Sequence, residues 1–166
     1  MALLPATLAD ELIANLDNFT TEPEAAAAWA DSFDTYFQSA MAGALPVAPL
    51  VTAGAKANMQ SALSGMSADS AGSTSIVAGI TAYWLALAAT AATLFVAVPP
   101  ATSITPPPGL SSLKSALDVN FLANSTGMVA KEAAITLIAT TIHLTQVGGI
   151  AVFPPTPGGL GPLTIV

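Results

Sequence analysis

His143 is the only histidine of the chain, so any general-base or imidazole-ligand chemistry would rest on it. A catalytic triad needs a hydroxyl and a carboxylate within reach of that ring, and the sequence offers many candidates but no preferred one. Glu132 lies near the same helical face but about three turns away, out of contact. The plain expectation is a histidine that hydrogen-bonds at a helix end, where its charge also suits the dipole. Asp31 and Asp34 form a second candidate: carboxylates three residues apart could serve a cation or an acid–base pair. They lie opposite the aromatic stripe of their helix, which predicts solvated groups of ordinary acidity. With no cysteine and one histidine, zinc-ligand spacings are missing. The glycine pairs lack the following lysine of a phosphate-binding loop, and Gly158-Gly159-Leu160-Gly161 is not followed by a helix as a dinucleotide fingerprint requires. The Trp29–Phe33–Phe37 stripe reads as core rather than as a ligand pocket, and Pro106–Pro108 as a rigid linker rather than a polyproline ligand. No catalytic residue, cofactor or metal is expected, and the chain reads as a non-enzyme.

The background to these residues is unusually apolar. Hydrophobic residues make up 53% of the 166 and charged residues 8%, against about 25% charged in an average soluble domain. Such a chain has little charge to hold neighbours apart, which favours a surface covered by partner subunits or by lipid. Asp10, Glu11, Asp17, Glu22, Glu24, Asp31 and Asp34 crowd the first 34 residues without a base, and the later acids Asp69, Asp118 and Glu132 balance Lys56, Lys114 and Lys131. The net charge of −7 and the absence of arginine exclude nucleic-acid binding through phosphates. The acidic segment is expected to face solvent or a basic partner. The N-terminus has no basic region before its apolar residues and does not read as a secretory signal.

The elements that would position these residues are mostly helical. Thr7 can cap a first helix with Leu8, Leu12, Leu16 and Phe19 on one face. Thr21-Glu22-Pro23-Glu24 reads as a capping box opening a second helix, in which Trp29, Phe33, Tyr36 and Phe37 fall within about 100° of arc. A third helix is predicted over roughly 49–65 and an uncharged one over 76–98. Pro99-Pro100 and Pro106-Pro107-Pro108 then predict an extended linker. Leu110, Leu113, Leu117 and Phe121 mark a fifth helix, and 128–146 a sixth. From Gly148 onward glycine and proline forbid helix, although Ile150, Val152 and Phe153 could form a short strand.

The segment 76–98 is long enough to span a bilayer. Its Tyr83 and Trp84 sit mid-segment rather than at the interfaces, and no base flanks it, so a buried core helix is the first expectation and a membrane span the alternative.

Tyr83-Trp84 in an apolar helix ending at Val98-Pro99-Pro100, then Pro106-Pro107-Pro108-Gly109-Leu110, then Gly148-Gly149-Ile150-Ala151-Val152-Phe153-Pro154-Pro155 together give a texture that resembles small structural proteins of phage virions or phage-tail-like particles. The resemblance implies a repeated accessory subunit in a symmetric shell or tube, in a virion or a cytoplasmic particle, and carries no functional residue with it. The expected fold is an all-α bundle of five or six Ala-rich helices over 1–147, with an extended Pro/Gly-rich C-terminal arm over 148–166. The arm is expected to lie in a groove of a neighbouring subunit through Ile150, Val152, Phe153, Leu160, Leu163, Ile165 and Val166. The expected partners are copies of the chain itself, as a homo-oligomer, or another structural protein.

Overall fold

The computed structural model describes residues 3–15, 21–48, 51–64, 72–95, 97, 100–125, 130–154 and 161–166. Its helices are α1 (Pro5–Asn15), α2 (Glu22–Phe37), α3 (Ala53–Ser64), α4 (Gly72–Ala89), the single turn α5 (Ala91–Leu94), α6 (Leu113–Ser125), entered through a 3-10 turn at Pro108–Ser112, and α7 (Lys131–Gln146). α1 begins at Pro5, ahead of the expected cap, because proline is at home in the first turn, where its missing N–H costs nothing. Leu16 and Phe19, expected on its apolar face, lie outside the described residues. The capping box of α2 forms, with the Glu24 carboxylate accepting the Thr21 N–H at 3.1 Å.

α4 starts at Gly72, ahead of the expected 76–98 helix, and ends at Ala89, well short of its expected end. Ile76, Gly79, Ile80, Tyr83, Trp84 and Leu87 are buried on one side, at helical spacing. Thr90 then ends the helix, its N–H turning back to the Leu87 carbonyl at 3.0 Å. α3 packs closely on α4 at Gly79, where an added Cβ would lie 2.9 Å from Leu63 Cγ. Edge-to-face rings join α2 to α4: Phe33 to Tyr83 with centroids 5.0 Å apart, and Phe37 to Trp84 at 5.3 Å.

The fold is mostly helical but not all-α. Five short strands form one antiparallel sheet in the order β2-β1-β5-β4-β3: β1 (Met41–Ala42), β2 (Leu45–Pro46), β3 (Ser103–Thr105), β4 (Gly149–Val152) and β5 (Pro162–Ile165). Two expectations are corrected by it. The proline-bounded linker after α5 contains β3, because Ser103-Ile104-Thr105 alternates exposed, buried, exposed and has β4 to pair with. The C-terminal residues build the middle of their own chain's sheet, β4 and β5, rather than an arm projecting toward a neighbour. Ala151, Phe153 and Ile165 gain their burial at home, and Gly149 lets the strand pass Trp84, whose Cη2 would lie 2.9 Å from an added Cβ.

Candidate functional site

Most of the residues with chemical capacity are tied into the core. The Tyr36 hydroxyl and His143 Nδ1 are 3.0 Å apart, which links the end of α2 to the last turn of α7. Burial pushes the Tyr36 phenol well above its ordinary range and lowers His143, so the pair is satisfied by a protonated phenol and a neutral imidazole. The hydrogen bond near a helix end is as expected, whereas burial disfavours the charged ring expected to suit the dipole. Among the described residues, no hydrogen bond joins His143 to a carboxylate or a serine, so no triad is assembled.

Asp31 and Asp34 part company. Asp31 is exposed and pairs with Lys56 of α3 at 3.0 Å, which raises the lysine. Asp34 corrects the expectation of a wet carboxylate, since it is 5% exposed. Its Oδ1 accepts the Tyr83 hydroxyl at 2.6 Å and its Oδ2 accepts the Gln38 amide at 2.8 Å. Burial first, and the Asp34 charge second, push Tyr83 well above its ordinary value, so this phenol stays a donor. Thr52 is fully buried beside the same hydroxyl, and its own hydroxyl has no hydrogen bond of good geometry among the described residues. A second internal pair joins Trp84 Nε1 to Gln146 Oε1 at 2.5 Å. Asp34, Tyr83, Trp84 and Gln146 are thus buried and engaged with partners inside the protein. No group of three or more His, Asp or Glu that could hold a metal occurs among the described residues.

Parts of the surface carry no charge. On the sheet, register assigns the faces. Ile104, Ala151 and Leu163 pair across β3, β4 and β5 toward the interior, as do Ala42, Ile165 and Gly149 across β1, β5 and β4. The other face carries Ser103, Val152 and Pro162 in one row and Thr105, Ile150 and Thr164 in the next. Met41 and Val166 exchange backbone hydrogen bonds of 2.9 Å and extend that face toward Pro46. None of these outward residues is charged. The seven residues expected at an interface therefore divide. Phe153 and Ile165 are core, Leu163 is half-buried and packed on the core, and Ile150, Val152 and Val166 remain on the outer face. Leu160 lies outside the described residues.

Two further apolar surfaces lie on the helices. A shallow groove of about 500 Å³ between α3 and α4 is lined by small residues, among them Gly54, Ala82, Ala86 and Ala89, with exposed Leu85 on its rim. On α6 and α7, Val119, Leu122, Leu137 and Leu144 are 67%, 71%, 41% and 67% exposed. The signal for the latter was a second apolar stripe opposite Leu113 and Leu117 on α6 and opposite Ile135 and Ile142 on α7. In a chain with so few charges, a second stripe cannot be told from the first by composition.

No family model, curated protein or solved structure matches the chain.

Proposed function

We propose that the chain is a structural subunit of a larger protein assembly and acts by contact rather than by catalysis. An accessory component of a virion or phage-tail-like particle is the specific form that the sequence texture favours. The observation that carries this reading is the outer face of the sheet: rows from five strands without one charged side chain, on a protein whose net charge is −7. A sheet face left to water usually alternates toward polar and charged residues, and an uncharged one with exposed Ile150 and Val166 suits burial against copies of itself or a host protein. The test is a double variant, Ile150→Asp with Thr164→Asp, compared with the parent by light scattering and electron microscopy. Ordered multimers of the parent that the variant fails to form, at unchanged helical circular dichroism, support the reading. A parent that remains monomeric at every concentration reached overturns it.

A membrane protein is the second reading, because α4 is the one helix among the described residues long and apolar enough to cross a bilayer. Against it stand Tyr83 and Trp84, fully buried and hydrogen-bonded to Asp34 and Gln146 inside the protein. The inner side of the helix is thereby committed to protein, and only its outer side, around Leu85, is open to lipid.

A further inference from the structure

We infer that the exposed face of α6 and α7 is a self-pairing seam, which a second copy of this chain covers by two-fold symmetry. The inference rests on the structural-subunit reading and names one partner and one surface for it. Asn120 Nδ2 donates to Thr141 Oγ1 at 2.6 Å and holds α6 and α7 side by side. At 100° per residue, Val119 and Leu122 turn to the side of α6 away from buried Leu113 and Leu117. Leu137 and Leu144 turn likewise away from Ile135 and Ile142, with Ala133 and Thr140 on the same line. The spacing 133, 137, 140, 144 is four, three, four, the seam of a helix that packs on another helix.

Area and charge argue for a second copy as the occupant. The four large side chains expose on the order of 500 Å², at the upper end for an apolar patch on a monomer. Two copies that cover this patch together with Ser115, Thr136 and Thr140 bury on the order of 1,000 Å² or more, which a specific interface requires. The charges of the two helices cancel: Lys114 pairs with Asp118 at 2.8 Å, and Lys131 stands next to Glu132. Copies that carry −7 each repel one another most where α1 and α2 display Asp10, Glu22, Glu24 and Asp31, and least on this face. An isologous contact uses the same patch twice, so a neutral patch adds no like-charge repulsion of its own.

The test uses the full chain in two variants. Val119→Glu with Leu144→Glu places four like charges in the paired seam, and sedimentation equilibrium reads the association constant, which should fall at least a hundredfold. Circular dichroism and thermal melting of the separated chains should be unchanged, since both side chains are mostly in water. Thr140→Cys, in a chain with no other cysteine, should give a disulfide-linked dimer on mild oxidation, because a residue near a two-fold axis meets its own copy. Thr35→Cys, exposed on α2, should not. Parent protein that self-associates as strongly as the double-glutamate variant, or Thr140→Cys that links no faster than Thr35→Cys, overturns the seam while leaving the structural reading intact. Parent protein that is monomeric throughout overturns both. Parent protein that is monomeric but floats with phosphatidylcholine vesicles, with flotation lost in the double variant, assigns the face to lipid and also overturns the seam.

Discussion

The contact between α2 and α4 and the outer side of α6 and α7 distribute polarity in opposite ways. Around the contact of α2 with α4 the chain buries a carboxylate, two phenols and an indole N–H, and matches them with one another and with His143 and Gln146 of α7. On α6 and α7 it exposes valine and leucine. A protein with 8% charged residues cannot coat itself with charge. It uses its polar groups as pins between helices, because a buried hydrogen bond is specific in direction while apolar contact is not. The outer faces then stay apolar, and that surplus is what the proposed assembly would use.

The strongest way to break the contrast is at Trp84. Trp84→Ala empties the space between Phe37 and Gly149 and strands the Gln146 amide oxygen. The expected loss is about 3–5 kcal/mol in denaturant titration, enough to unfold a marginal domain. A loss below about 1 kcal/mol would mean that α4 is not the centre of the core.

Asp34→Ala and Asp31→Ala compare the two settings three residues apart on one helix. The first leaves the buried Tyr83 hydroxyl without its acceptor and should cost about 1–3 kcal/mol. The second removes an exposed ion pair with Lys56 and should cost less than about 1 kcal/mol. Equal costs would show that Asp34 is solvated after all.

How far such features can be read from sequence depends on what fixes them. The α2 helix was legible down to its cap, because Thr21, Glu24 and the four aromatics obey local rules that tertiary contacts did not override. Asp34 was not, since helical angle alone puts it on the side of Asp31 and only the arrival of Tyr83 from α4 brings it inside. The sheet was half legible. Ile150, Val152 and Phe153 suggest a strand, which forms over Gly149–Val152, but its partner Ser103-Ile104-Thr105 lies far back in the chain between proline clusters, and such pairing leaves no local mark. The outer apolar faces were invisible as faces, because a stripe of leucines says that something covers it and not whether the cover is the same chain.

His143 gives a smaller effect with a defined sign. Its folded value is depressed by burial, so the unfolded chain takes up the proton first. The stability contributed by the neutral ring is complete above about pH 6.5, the ordinary histidine value, and declines as pH falls from there toward the folded value. Melting temperature should therefore fall between neutrality and mildly acid pH in the parent, and fall less in His143→Gln, whose side chain does not titrate. The difference between the two curves isolates His143 from the carboxylates that titrate lower. Parallel curves would show that the Tyr36 contact does not depend on the charge of the ring.

The smallest expected effect decides the most about α4. Leu85 is 64% exposed, on the same helix as fully buried Tyr83 and Trp84. If α4 is the inner helix of a protein in water, Leu85→Lys sends a long side chain from the rim of the α3–α4 groove into solvent, and stability should change by no more than about 0.5 kcal/mol. If α4 spans a bilayer, the same lysine sits on its lipid-facing side and costs about 2.5–3.5 kcal/mol near mid-helix, less where it can reach the interface. The two readings thus differ several-fold at one position whose substitution disturbs nothing in the core. Expression and extraction without detergent, followed by thermal melting, read the difference directly. Leu85→Lys protein recovered in the aqueous fraction with an unchanged melting temperature assigns the helix to a protein core, where its inner side is held by Asp34 and Gln146 and its outer side remains open to a partner.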